Sequence, residues 1–284
     1  MRIIRTVAEL RAALAPERLA QRSIGLVPTM GALHAGHRSL IERARSEHDV
    51  VVVSLFVNPT QFGAGEDLAA YPRDEAADAA LAEQAGADVL FAPPLEQVYP
   101  DGFATTVHVA GLSEPLEGAQ RPGHFDGVAT VVTKLLNMAA PDAAYFGQKD
   151  AQQALVIRRL VRDLDIPVRI EVCPTVREPD GLALSSRNAY LEPADRARAV
   201  ALCRALDAAE AAVAAGAREA EAVADAARGA MAPYDVEPEY VALVASDTLA
   251  PVERIEGEVL VALAARVGPA RLIDNTLITT NGRP

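Results

Sequence analysis

The chain has 284 residues, with 39 acidic against 27 basic side chains for a formal net charge of −12, half of its residues hydrophobic and no tryptophan. That composition excludes a disordered or fibrous chain. The acidic balance excludes one built chiefly to hold nucleic acid, whose affinity comes largely from counterions released at Lys and Arg contacts.

The N-terminus carries Arg2, Arg5, Glu9 and Arg11 where a signal peptide needs an apolar core. No segment approaches the roughly 18 consecutive apolar residues of a membrane span, so the chain is expected in the cytoplasm, off the membrane. From Ile24 onward, strand-length apolar runs alternate with segments of helical period. Strands are expected at Ile24–Val27, Val50–Phe56, Val89–Phe91, Thr105–Val109, Ala143–Phe146 and Val168–Val172. Helices are expected near Gly36–Ser46, Asp74–Gln84, Val128–Met138 and Gln152–Leu164. The last is the cleanest, with Val156, Leu160, Val161 and Leu164 on its packing face and Arg158, Arg159 and Arg162 solvated. This alternation predicts an α/β fold, a Rossmann-like doubly wound parallel sheet over residues 1–175. Beyond Pro174 the texture changes. An alanine-rich stretch from Pro193 to Ala232 reads as two helices broken near Gly216, its alanines reflecting helix propensity. Strand-like runs follow at Tyr240–Val244, Val259–Ala264 and Arg271–Ile273, so residues 176–284 are expected to form a second, smaller α+β domain. Cys173 and Cys203 form no Cys-x-x-Cys pair and read as small buried hydrophobes, not as a disulfide framework or zinc site.

The chemistry concentrates where the first of these strands runs out, in Pro28-Thr29-Met30-Gly31-Ala32-Leu33-His34-Ala35-Gly36-His37. A glycine-punctuated loop between strand and helix is where such folds hold phosphate. Gly31 and Gly36 have the Walker spacing, but His37-Arg38 replaces Lys-Ser/Thr, and GxGxxG is not present either. Two imidazoles three residues apart at a helix entry project to one side, close to backbone N–H groups and the positive end of the helix dipole. They make a two-donor clamp for a phosphoryl oxygen, with no third ligand at metal spacing.

Pro28 to His37 resembles the HxGH element of the nucleotidyltransferase superfamily that includes class I aminoacyl-tRNA synthetases. Further blocks follow in order: Phe56-Val57-Asn58-Pro59-Thr60-Gln61-Phe62, Tyr71-Pro72-Arg73, Leu116-Glu117-Gly118 with Arg121-Pro122-Gly123-His124-Phe125, Phe146-Gly147-Gln148-Lys149-Asp150 with Gln152-Gln153, and Asp180-Gly181-Leu182-Ala183-Leu184-Ser185-Ser186-Arg187-Asn188. Together they make the chain similar to the pantothenate synthetases.

The resemblance implies an AMP-forming ligase. Pantoate attacks the α-phosphate of ATP to give pantoyl adenylate and pyrophosphate, and β-alanine then displaces AMP. It marks His37 as the catalytic proton donor, with His34 and Lys149 beside it. ATP contacts are implied at Met30, Gly31, His34, Gly36, His37, Gly147, Gln148, Lys149, Asp150, Val176, Leu184, Ser185, Ser186 and Arg187. Pantoate contacts are implied at Gln61 and Gln153, β-alanine contact at Gln61, Mg²⁺ with the ATP at Asp150, and a homodimer as the assembly. Leu184 to Arg187 resembles the mobile KMSKS-type loop, which makes the second domain a lid.

The residue types suit these roles. Lys149 follows an apolar strand and a glycine, at the carboxyl edge where open α/β sheets bind ligands. Asp150 suits either Mg²⁺, usually held by one or two carboxylates with phosphates and water, or a cap of the helix that follows. Gln148 stands where the resemblance leads one to expect glutamate, which removes a negative charge beside Lys149. Gln61 and Gln153 carry donor and acceptor without charge, and Pro28, Met30 and Phe56 could wall the geminal methyls of pantoate. Ser185 and Ser186 suit phosphate or a plain hydroxyl-capped turn. Gly63 to Asp67 reads as a surface loop or a gate. At −12 the chain repels anions at long range, but screening within about 8 Å leaves local cations to decide binding. A nucleotidyltransferase that keeps the nucleotide in its product, and an idle nucleotide-binding module, remain open alternatives at this point.

Overall fold

The computed structural model describes residues 1–280 and divides them into two compact units, Met1–Gln148 with Gln152–Pro174, and Lys149–Ala151 with Thr175 onward. The first unit runs β1 (Arg2–Ile4), α1 (Val7–Leu19), β2 (Ile24–Thr29), α2 (Ala35–Glu47), β3 (Val50–Leu55), α3 (Glu75–Gln84), β4 (Val89–Phe91), α4 (Leu95–Val98), α5 (Glu117–Gln120), α6 (His124–Ala139), β5 (Ala143–Gly147), α7 (Ala151–Asp163) and β6 (Arg169–Cys173). All pairings are parallel, in the order β1-β4-β3-β2-β5-β6.

Branched side chains stiffen β3, a run of four valines that suits a pleated, doubly covered strand. Val27, Val51, Val53 and Leu90 pack with Leu40, Ile41 and Ala44 of α2 and with Ala82 of α3. Leu26 and Val52 point to the opposite face, by the period of two, and are equally buried. Both faces are therefore covered, as a parallel sheet requires. Strand order reverses between neighbours β2 and β5, and the carboxyl ends of strands at such a reversal flank the crevice where open α/β sheets take their ligands.

The expected helices lie within a few residues of their places, and two elements at the N-terminus are additional. In β1 only Ile4 is buried, and three residues are too few for a period. α1 is announced by a capping box, in which Glu9 N–H donates to Thr6 Oγ1 at 3.1 Å and Thr6 N–H to Glu9 Oε2 at 3.0 Å. Thr105–Val109, expected as a strand, joins no ladder: Val107 N–H donates to the Thr130 hydroxyl at 2.9 Å. Leu164 lies beyond the end of α7 and is 53 % exposed, not on its packing face. Cys203 is buried as expected, whereas Cys173 is only half-buried, and both are free thiols.

The second unit opens with a tight antiparallel turn around Asp180-Gly181: Glu178 N–H donates to Leu182 O at 2.8 Å and Leu184 N–H to Val176 O at 3.0 Å. Then come α8 (Pro193–Ala199), α9 (Ala201–Ala214), α10 (Ala220–Met231), β7 (Pro238–Ala245), β8 (Glu258–Val267) and β9 (Ala270–Thr279). The sheet is antiparallel in the order β7-β8-β9. Leu202 and Leu206 of α9 and Val223 of α10 pack on Val261 and Leu263 of β8. The alanines do more than favour helix. Ala201, Ala205 and Ala209 of α9 and Ala224 and Ala227 of α10 are buried, and their small size lets helices and sheet approach closely.

Candidate active site

The loop after β2 turns sharply because Gly31 and Ala32 both take left-handed backbone, φ +91° and +51°, a region glycine enters freely and alanine seldom. His34 then caps α2. Its Nδ1 accepts the Gly36 N–H at 3.1 Å, and His37 Nδ1 accepts the His34 N–H at 3.3 Å, a capping box built from imidazoles. The ring centroids stand 4.2 Å apart. Because each Nδ1 is an acceptor, the neutral rings carry their proton on Nε2, which is thereby the donor nitrogen of each. The backbone N–H groups that the sequence suggests as a phosphate cradle are largely committed: Ala32 and Leu33 donate to the Asp78 carboxylate at 3.0 and 2.6 Å.

Gln61 ends the turn Pro59–Gln61 and is buried. This turn can sit against α6 only because residue 127 is glycine; a Cβ there would lie 2.4 Å from Thr60 O and 2.6 Å from Gln61 N. The buried Asn58 amide donates to Gln61 Oε1 at 3.0 Å and to Gly127 O at 3.1 Å, and its own oxygen accepts from Thr60 Oγ1 and Tyr99 OH, each at 2.9 Å. With its oxygen held, Gln61 is oriented to donate through Nε2, which meets Met30 Sδ at 2.9 Å. That contact brings the Gln61 amide against the loop that carries the two histidines.

Behind Gln61 stands a second buttress. His124 Nδ1 is 2.7 Å from Gln61 O, Arg121 Nη1 is 3.1 Å from His124 Nε2, and Arg121 is ion-paired with Glu66 at 2.5 Å. Burial first, and then the Arg121 charge, push the His124 pKa down to about 4, so the ring is neutral, donating to the carbonyl and accepting from the guanidinium. The Gly63–Asp67 segment is tied down through Glu66.

At the end of β5, Gly147 has no positive φ, and among the described residues a Cβ there would meet nothing within 4 Å beyond its chain neighbours. Fold alone does not require glycine at that place. The neighbouring glutamines of α7 divide their work. Gln152 is consumed by the fold, accepting from Glu117 N and donating to Leu112 O and Pro115 O, whereas the half-buried Gln153 amide makes no hydrogen bond among the described residues.

In the second unit, Lys149 is one of only two lysines in the chain. Its side chain is 20 % exposed, its ammonium lies 3.4 Å from Asp150 Oδ1, and its carbonyl accepts from Asn275 Nδ2 at 2.8 Å. Ser185 caps the turn Ser186–Tyr190 by accepting the Arg187 N–H at 3.3 Å, so the hydroxyl-capped turn is realised there. The Val176 carbonyl is engaged by Leu184 N–H. No group of three His, Cys, Asp or Glu side chains among the described residues forms a metal cage. A single carboxylate, that of Asp150 beside Lys149, fits Mg²⁺ held mainly by phosphates and water.

Residues 2–277 match the family model described as pantoate-beta-alanine ligase. The chain belongs to this family. It is 53 % identical over 279 residues to the pantothenate synthetase of Roseiflexus castenholzii, covering 98 % of this chain and 99 % of that protein. A crystal structure of pantothenate synthetase from Thermus thermophilus superposes with a TM-score of 0.93 at 51 % identity, covering 97 % of this chain and 99 % of that one. The pantoate-beta-alanine ligase of Francisella tularensis, complexed with beta-gamma ATP and β-alanine, superposes with a TM-score of 0.81 at 36 % identity over 100 % of this chain and 99 % of that one.

As a pantoate–β-alanine ligase, the chain gathers Met30, Gly31, His34, Gly36, His37 and Gln61 on and against one loop of its first unit. Asp78, Asn58, Gly127 and the Arg121–His124 pair were not singled out from sequence as supports of that loop and of Gln61. Only Asn58 and the Arg-Pro-Gly-His block carried a signal, through their place in the ordered motifs.

Proposed function

We propose that this ligase joins pantoate to β-alanine with consumption of ATP, and that its first-unit histidine loop performs the adenylation step. A pantoate carboxylate oxygen forms a bond to the α-phosphorus as the bond to the pyrophosphate oxygen breaks. The β-alanine nitrogen then bonds to the acyl carbon, losing a proton, and AMP leaves with the acyl oxygen's electron pair.

The observation that supports this reading is the Gln61–Met30 contact, which brings the Gln61 amide against the loop that carries the histidine pair. His34 and His37 donate through Nε2–H to oxygens whose charge grows in the transition state, His37 serving as proton donor. A preorganised donor of this kind is worth about 2.7–4 kcal/mol. Gln61 and the Gln153 amide bind pantoate without neutralising its nucleophilic carboxylate, and Gln61 also borders the β-alanine position. Pro28, Met30 and Phe56 wall the geminal methyls. On the ATP, Met30, Gly31, Gly36, Gly147, Gln148 and Leu184 lie along the nucleotide, Val176 contacts it through its backbone, and Lys149, Ser185, Ser186 and Arg187 hold phosphates. Asp150 would hold Mg²⁺ accompanying the ATP, which would supply neutralisation of phosphate charge. Gln148 leaves the Lys149 ammonium without a carboxylate from that neighbour.

No helix among the described residues is long and apolar enough to cross a membrane. A cytoplasmic homodimer without nucleic acid is the setting proposed here, tested by sedimentation of the purified chain. The reaction itself is tested by exchange of labelled pyrophosphate into ATP with Mg²⁺ and pantoate and without β-alanine. Pantoate-dependent exchange establishes the adenylate; ATP exchange independent of pantoate, or no AMP even with both substrates, overturns it.

A further inference from the structure

Asp78 sits on α3, far in sequence from the histidine loop, and is only 4 % exposed. Among the described residues it has no cationic partner, and its acidic neighbours Asp74 and Glu75 oppose its charge. A buried, unpaired carboxylate is costly to a fold, and the adjoining core positions Ala79 and Ala82 show that an apolar side chain fits this layer. Its compensation is two hydrogen bonds: Oδ1 from the Leu33 N–H at 2.6 Å and Oδ2 from the Ala32 N–H at 3.0 Å. Those are the two amides immediately before His34. A Cβ on Gly31 would come within 3.0 Å of Asp78 Oδ2, so loop and carboxylate are fitted to each other.

We propose that Asp78 is a positioning residue for adenylation, an internal anion that fixes the Gly31–Leu33 peptides so that His34 and His37 cap one another and present Nε2–H toward phosphate. This rests on the histidine pair acting on ATP. It adds that the loop's backbone donors are held by the protein's own carboxylate, which leaves the nucleotide to be read by imidazole. Desolvation raises the Asp78 pKa while the two N–H groups lower it, so the ionised form depends on the loop as the loop depends on it.

The chain has five histidines, which makes their rings separately observable. Long-range ¹H–¹⁵N spectra are recorded for wild type and Asp78→Asn, together with pyrophosphate exchange and thermal midpoints. The expected result is that His34 and His37 ring signals shift or broaden while those of His48, His108 and His124 stay. Exchange kcat should fall at least tenfold with KM for pantoate within twofold, and Asp78→Asn should add no further loss in a His34→Asn/His37→Asn background. Unmoved His34 and His37 signals, exchange within twofold of wild type, or equal movement of all five rings each overturn the proposal. Should Asp78→Asn not fold, Asp78→Glu, which keeps the charge and displaces it, must move the same two rings. Wild-type exchange in His37→Gln alone would instead refute the role of the histidine pair, and the ring spectra judge Asp78 whatever that outcome.

Discussion

His37 accepts the backbone N–H of His34 through Nδ1 at 3.3 Å, and His34 in turn accepts the N–H of Gly36. A single arrangement thus caps α2 and selects the tautomer of both rings. Structure and chemistry are coupled at this point, because whatever protonates Nδ1 removes both the cap and the orientation of the Nε2 donors.

Replacing His37 by Gln should therefore separate two effects. Pantoate-dependent pyrophosphate exchange falls by roughly 10²–10³-fold, the loss expected for one preorganised donor, while stability falls by only about 1 kcal/mol, the worth of a cap. Exchange kinetics and urea melts on the same preparation measure the two.

His124 should make the chain acid-sensitive. Its pKa is lowered to about 4 in the folded state against 6.5 when unfolded, so between those values the unfolded chain binds the extra proton. The stability this represents is present above pH 6.5 and is lost as pH falls toward 4, approaching about 3 kcal/mol at the lower end. Urea denaturation from pH 7 to 4.5 should show wild type losing more stability than His124→Gln.

Gly127→Ala should strike pantoate binding from behind. The new Cβ would overlap Thr60 O and Gln61 N at 2.4 and 2.6 Å, and relieving that overlap displaces the turn that carries Gln61. An overpacking cost of about 1–3 kcal/mol is expected, with KM for pantoate raised more than KM for ATP, as steady-state kinetics at saturating co-substrate would show.

Gly147→Ala should do the reverse. Among the described residues, nothing beyond its two chain neighbours lies within 4 Å of its Cβ position, so the thermal midpoint stays within about 2 °C, on the scale of a surface change of about 0.5 kcal/mol, while the affinity for ATP falls by roughly tenfold through contact with the ligand alone. Calorimetric titration with ATP, set beside the melting curve, checks both.

Lys149 and Lys134 are the only lysines, which makes amine labelling a clean reporter. Lys134 lies over the Phe103 ring, 4.4 Å from its centroid, and serves as internal reference. Mg-ATP should slow acylation of Lys149 at least fivefold and leave Lys134 unchanged, as peptide mass spectrometry would record.

Much of this was decided locally. The valine run of β3, the amphipathic α7 and the HxGH spacing are legible because each depends on residues a few positions apart, where periodicity, propensity and capping act. The capping box of α1 was equally present in Thr6 and Glu9. Thr105–Val109 shows the limit: it alternates as a strand does, but a strand exists only where another offers a ladder, and Val107 finds Thr130 instead. The supports of the site belong to the same class. Asp78 is a helix residue whose two bonds go to a loop 45 and 46 positions away, and His124 reaches the Gln61 carbonyl across 63. By itself the sequence determined the α/β order, the second unit's α+β character and the histidine pair. Only the tertiary structure decided which buried polar groups hold that pair and Gln61 in place, because burial makes every unsatisfied donor or acceptor costly, and the partner that satisfies it is chosen by packing and not by position along the chain.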